Sequence, residues 1–200
     1  MRLAACPGDG DDPEHRVVDP HVWLDPHLVR QWVENVATVF SQLDPVNVSV
    51  YEENAQAYLG QLEALIAYFD EQVDSIPADR RKLVTNHDSF GYFAEAYDFE
   101  ILGTVIPAAS TLAEPSAKEL AGLVDIMEEA QLCTLFAEST SNAQLAQALS
   151  AEVSNCEQVQ VVPLFTGALG PAASDANTYI DMMRDNIDAI SNGLRQPESG

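Results

Sequence analysis

The stretch Asp19-Pro20-His21-Val22-Trp23-Leu24-Asp25-Pro26 holds a histidine between two Asp-Pro pairs, beside a large aromatic. Each proline fixes its own φ and pushes the residue before it towards extended geometry, so His21 is carried on a stiff loop. A stiffly held imidazole suits a metal ligand, because little entropy is lost on binding. The plainer alternative is a helix-entry loop with a polar surface histidine. His87 follows an apolar run and lies far away in the chain. Neutral imidazole is a good ligand for zinc and other borderline metals, and two of them on separated rigid segments suit a site closed by tertiary structure. A hydrogen-bonded rim histidine is the alternative at position 87. His15 lies in a loop with Asp11, Asp12 and Glu14, where a solvated role is expected. His27 falls in the first turn of a helix, where capping or exposure is the default.

The elements that must position these residues follow from periodicity. Asp25-Pro26 can open a helix as cap and first-turn residue. Val29, Trp32, Val33, Val36, Val39 and Phe40 recur at helical spacing over residues 26–43. Asp44-Pro45 breaks this helix and caps the next, over residues 45–75, on the order of 45 Å long at 1.5 Å per residue. Beyond residue 77 short apolar runs alternate with helical patterns. Strands are expected at 82–86, 100–105, 132–137 and 158–164, and helices at 89–97, 114–130, 142–153 and 176–193. The fold class is therefore α/β, a long spine helix followed by a four-stranded parallel β-sheet lobe with helices on both faces. Ligands gather at the carboxyl ends of such strands. His87, Glu138 and Thr166-Gly167 all fall at one rim.

Charge narrows the partners. Thirty-two acidic residues against nine basic ones give a net charge of −23, which disfavours nucleic acid and anionic membranes. No stretch approaches the roughly 20 apolar residues of a membrane span, and no secretory h-region develops after Met1. Cys6, Cys133 and Cys156 form no C-x-x-C pair. Cys133 opens one expected parallel strand and Cys156 precedes another, so a disulfide across their starts is open to an exported protein, and two separate thiols are the alternative.

The octet around His21 resembles the His-Val-Trp-Leu-Asp-Pro signature of the zinc/manganese substrate-binding proteins of ABC importers, the group with a rigid helix between two lobes. Val84-Thr85-Asn86-His87-Asp88-Ser89-Phe90-Gly91-Tyr92-Phe93 resembles that family's ligand motif in the C-terminal lobe. Glu114-Pro115-Ser116-Ala117-Lys118-Glu119-Leu120 and Leu135-Phe136-Ala137-Glu138 resemble two further segments. The resemblance covers residues 19–194 and implies that His21 and His87 bind metal. It also implies that the long helix is a spine limiting hinge movement. The resemblance places Gly167 where the family has an acidic ligand after the last strand; water, a residue of the preceding lobe, or a nearby carboxylate such as Glu138 or Asp175 are the alternatives for completing the shell. The resemblance further divides the chain into a loop remnant (1–18), a motif loop with interlobe helices (19–76), a C-terminal α/β lobe (77–194) and a tail (195–200).

The function it implies is extracytoplasmic capture of a metal ion for a membrane permease, by a monomer that performs no catalysis. It also implies a preceding lobe with another histidine ligand. Imidazole at position 87 favours Zn2+, with Mn2+ as the alternative, whereas calcium and magnesium want oxygen shells. A zinc-dependent hydrolase is the competing reading, although H-E-x-x-H, G-x-S-x-G and phosphate-loop motifs are missing. Asp88 would be its base, but a capping role for the next helix is preferred. A truncated lobe without function is the third reading.

Overall fold

The computed structural model describes residues 19–106, 117–138, 149 and 151–195. A 3-10 turn, Val22–Leu24, leads into α1, Pro26–Leu43, whose cap Asp25 accepts from the His27 backbone N–H with Pro26 in the first turn. Helix α2 spans Val48–Asp74, about 40 Å at 1.5 Å per residue. It starts three residues later than the periodicity predicts, because Pro45–Asn47 forms a 3-10 turn and Asn47 leaves the helical region (φ −109°, ψ 20°). The Asp44 carboxylate accepts from the side chains of Asn47 and Tyr51 at 2.7 and 2.8 Å.

The lobe that follows runs β1 (Lys82–His87), α3 (Gly91–Tyr97), β2 (Glu100–Ile106), α4 (Ala117–Glu129), β3 (Thr134–Glu138), β4 (Gln160–Leu164) and α5 (Tyr179–Arg195). The strands form one parallel sheet in the order β2-β1-β3-β4. Helix α3 is not capped by Asp88: it starts at Gly91 after Phe90, with no side-chain cap. Of the helix predicted over 142–153, Leu149, Ala151 and Glu152 are helical, and 142–148 and 150 lie outside the described residues. So do residues 114–116 of the segment before α4, His15 with the whole of 1–18, and the tail beyond Arg195.

Alternation along the strands sorts the apolar residues into two cores. Leu83, Phe136, Val162 and Leu164 join α2, α3 and α5 on one face. Val84, Val105, Leu135 and Ala137 join Leu123 and Met127 of α4, with Leu149 and Val153, on the other. Both faces are thus covered, as parallel sheets require. Gly193 lets α5 approach the sheet closely, since a Cβ there would lie 3.1 Å from Thr134 and 3.2 Å from Phe136. Cys133 and Cys156 form a disulfide just ahead of β3 and β4.

Helix α1 departs from its expected burial. Val29 is buried, but Trp32, Val36, Val39, Phe40 and Leu43 are exposed, and Val46 and Val50 continue the apolar strip. Along α2 burial begins only at Leu59 and continues through Leu62, Leu65, Phe69 and Val73. Periodicity identifies an apolar helix face, but it does not say what covers it.

Candidate metal centre

The strand order creates a crevice. The chain leaves β1 towards β2 on one side, while β3 continues to β4 on the other, so the carboxyl ends of neighbouring β1 and β3 mark the topological switch point. His87 is the last residue of β1 and Glu138 the last of β3. Thr85 pairs with Phe136, so two residues on, His87 and Glu138 stand side by side and share the face of Phe136.

The His21 loop closes over this rim. Leu24 plugs it into the core at 1% exposure. Trp23 Nε1 donates to the Thr166 carbonyl at 2.8 Å, and the Tyr179 hydroxyl donates to the Trp23 carbonyl at 2.8 Å. Burial first, then neighbouring Tyr58 and Asp25, pushes the Tyr179 phenol well up, so it keeps the proton it donates. The loop is therefore tied both to the segment after β4 and to the start of α5.

Asp19 fixes the imidazole. Its Oδ1 accepts from the His21 backbone N–H at 2.9 Å and pairs with His21 Nδ1 at 2.7 Å. Gly91 leaves room for this carboxylate, as a Cβ there would lie 3.0 Å from Asp19 Oδ2. With Nδ1–H donated to a carboxylate, Nε2 carries the lone pair. That nitrogen faces His87 Nε2 at 3.2 Å, with the ring centroids 5.0 Å apart. Both rings are buried, at 8% and 4% exposure. Two metal–imidazole bonds of about 2.0–2.1 Å at a tetrahedral angle separate the nitrogens by about 3.3–3.4 Å. The pair therefore has the spacing of one edge of such a site. A single proton shared between the nitrogens is the other chemistry this distance allows.

The sequence-predicted residues thus divide. His21 and His87 come together. Glu138 is at their level, with its backbone N–H donating to Asn86 Oδ1 at 2.6 Å. Its Oε1 would lie 2.8 Å from a Cβ at Gly167. Asp175 is exposed in the turn before α5. His27 is half-exposed and bonds its own cap, with Nδ1 2.9 Å from Asp25 Oδ1. Among the described residues, no three His, Cys, Asp or Glu side chains converge as a ready metal cluster. Sequence reasoning missed Asp19 as the partner of His21, although an aspartate two residues ahead is a signal for bonding its backbone N–H. It also missed Trp23 and Asn86 as clamps. Buried Ser89 Oγ and Thr166 Oγ1, in the loops leaving β1 and β4, have no hydrogen-bond partner among the described residues.

Residues 3–193 match the family described as zinc-uptake complex component A, periplasmic. The chain is 35% identical over 180 residues to the manganese-binding lipoprotein MntA of Halalkalibacterium halodurans, covering 90% of this chain and 58% of that protein. It is 36% identical over 182 residues to the zinc-binding protein TroA of Treponema pallidum, covering 88% and 58%. The metal ABC transporter substrate-binding lipoprotein SloC of Streptococcus mutans is 31% identical over 178 residues, covering 89% and 56%. The solved structure of the Treponema pallidum periplasmic zinc-binding protein TroA superposes with a TM-score of 0.82 at 35% identity, over 93% of this chain and 67% of that one. The chain spans rather more than half the length of these curated relatives. By sequence and by fold, it belongs to the zinc-uptake complex component A family.

Proposed function

We propose that this chain carries the C-terminal part of the metal site of an ABC importer's substrate-binding protein, with His21 and His87 as ligands. The observation that carries the reading is the 3.2 Å approach of the two Nε2 atoms, with Asp19 holding His21 in the metal-accepting tautomer. Relatives named for zinc, manganese and ABC-transporter substrate binding support it. Two nitrogen donors favour zinc over manganese. The metal is cargo: it is bound outside the cytoplasm and handed to a membrane permease, with no reaction performed on it. The disulfide suits an oxidising compartment, and no described helix is long and apolar enough to cross a membrane.

In this reading residues 19–76 form the motif loop and interlobe helices, and residues 77–194 form the C-terminal lobe. The exposed strip from Trp32 to Val50 is then the seat of a second lobe, equivalent to the part of the relatives that this chain does not span. Zinc titration by calorimetry tests the site. His21→Ala and His87→Ala should each weaken zinc binding at least about tenfold, since two-point chelation becomes single coordination. Parent-like affinity in both variants would remove the assignment.

A further inference from the structure

We propose that Glu138 supplies a carboxylate oxygen to the metal and that Gly167 provides the space for it; this rests on the two-histidine reading above. Three observations place the group. Register sets Glu138 beside His87 on the neighbouring strand and on the same face. The Glu138 backbone N–H is held at 2.6 Å by Asn86 Oδ1, from the residue preceding His87, so the two ligand-bearing strand ends are joined directly. Gly167 adjoins Thr166, whose carbonyl is clamped by Trp23 from the His21 loop. A side chain at 167 would start 2.8 Å from Glu138 Oε1. The glycine therefore leaves open the rim position against which the carboxylate lies.

The chemistry of a divalent cation leaves a place for such a group. Two neutral imidazoles leave the charge of a divalent cation uncompensated and half of a tetrahedral shell empty. A carboxylate from the adjacent strand end supplies both an oxygen and a negative charge. In this structure the carboxylate rests against Gly167 and has not joined the histidines into a cluster of three. The Asn86 bond holds its backbone at the level of His87 on the neighbouring strand. An oxygen donor at this place also moves selectivity towards manganese, offsetting part of the zinc preference of the histidines.

The test titrates the metal-free protein with zinc chloride and manganese chloride by calorimetry. Glu138→Gln keeps the shape but removes the charge. It should weaken zinc binding about tenfold and manganese binding further, with the folded apo-protein retained by circular dichroism. Adding Gly167→Asp to Glu138→Gln should restore most of the zinc affinity by returning a carboxylate to the same rim. If Glu138→Gln binds both metals as the parent does while His21→Ala and His87→Ala lose binding, Glu138 is no donor and the two-histidine reading stands. Should the histidine variants bind normally as well, both proposals fall together.

Discussion

Asp19 Oδ1 meets both nitrogens that His21 can offer locally, the backbone N–H at 2.9 Å and Nδ1 at 2.7 Å. Both residues are buried, so the carboxylate sets ring orientation and tautomer together. Loss of such outer partners typically costs 10- to 100-fold in metal affinity. Asp19→Asn keeps an acceptor but loses the charge, and should weaken zinc binding by about tenfold in calorimetry. Asp19→Ala should also destabilise the apo-protein by about 1–3 kcal/mol in urea unfolding, because buried donors are left unmet.

Trp23 joins the His21 loop to the segment after β4 through a single indole N–H at 2.8 Å from the Thr166 carbonyl. Trp23→Phe retains an aromatic ring and removes the donor. A loss of about 1 kcal/mol in urea unfolding is expected, with a smaller fall in zinc affinity than either histidine variant gives. An unchanged unfolding midpoint would mean the bond does not hold the loop.

The Cys133–Cys156 disulfide closes a loop of sequence separation 23. Loop-closure entropy for that length gives a stabilisation of roughly 3 kcal/mol relative to the open chain. The double variant Cys133→Ser with Cys156→Ser should therefore lose about that much unfolding free energy, read as a lower urea midpoint. Its zinc affinity should stay near the parent's, because the bridge lies at the opposite ends of β3 and β4 from the histidine pair.

Asp185 sits on α5 with its carboxyl pushed above the usual value, by desolvation first and then by Asp175, Asp188 and Asp181. A folded-state value above the unfolded one means that ionisation disfavours the folded chain. The penalty is therefore present at neutral pH and disappears as pH falls below the unfolded value of about 3.9. Asp185→Asn should raise stability by a few tenths of a kcal/mol, on the order of 0.3, at pH 7, since the group is exposed and screened. Unfolding curves at pH 7 and pH 3.5 check this: the gain should vanish at the lower pH and shrink in salt.

The sequence carries the triplet Asp-Pro-His twice, at 19–21 and at 25–27, and local chemistry treats the two alike. Asp25 Oδ1 bonds the His27 N–H and Nδ1 just as Asp19 bonds His21. The stiff loop, the helix start at Pro26 and the βα alternation were all legible, because proline geometry, capping and periodicity act over a few residues. The buried half of α2 and the exposed face of α1 were not, since both depend on what lies opposite them.

By itself the sequence determined that two histidines sit on rigid segments, one in a proline-bounded loop and one at the end of a strand. Only tertiary structure decided which Asp-Pro-His triplet meets His87. His21 is carried over the β1–β3 switch point by Leu24 and Trp23, whereas His27 packs 5.8 Å from the Tyr97 ring and stays half-exposed. Register alone set Glu138 level with His87, because pairing across neighbouring strands joins residues 51 positions apart, through Thr85 and Phe136. Local forces fix a side chain's own geometry; convergence of side chains distant in the chain requires the packed sheet.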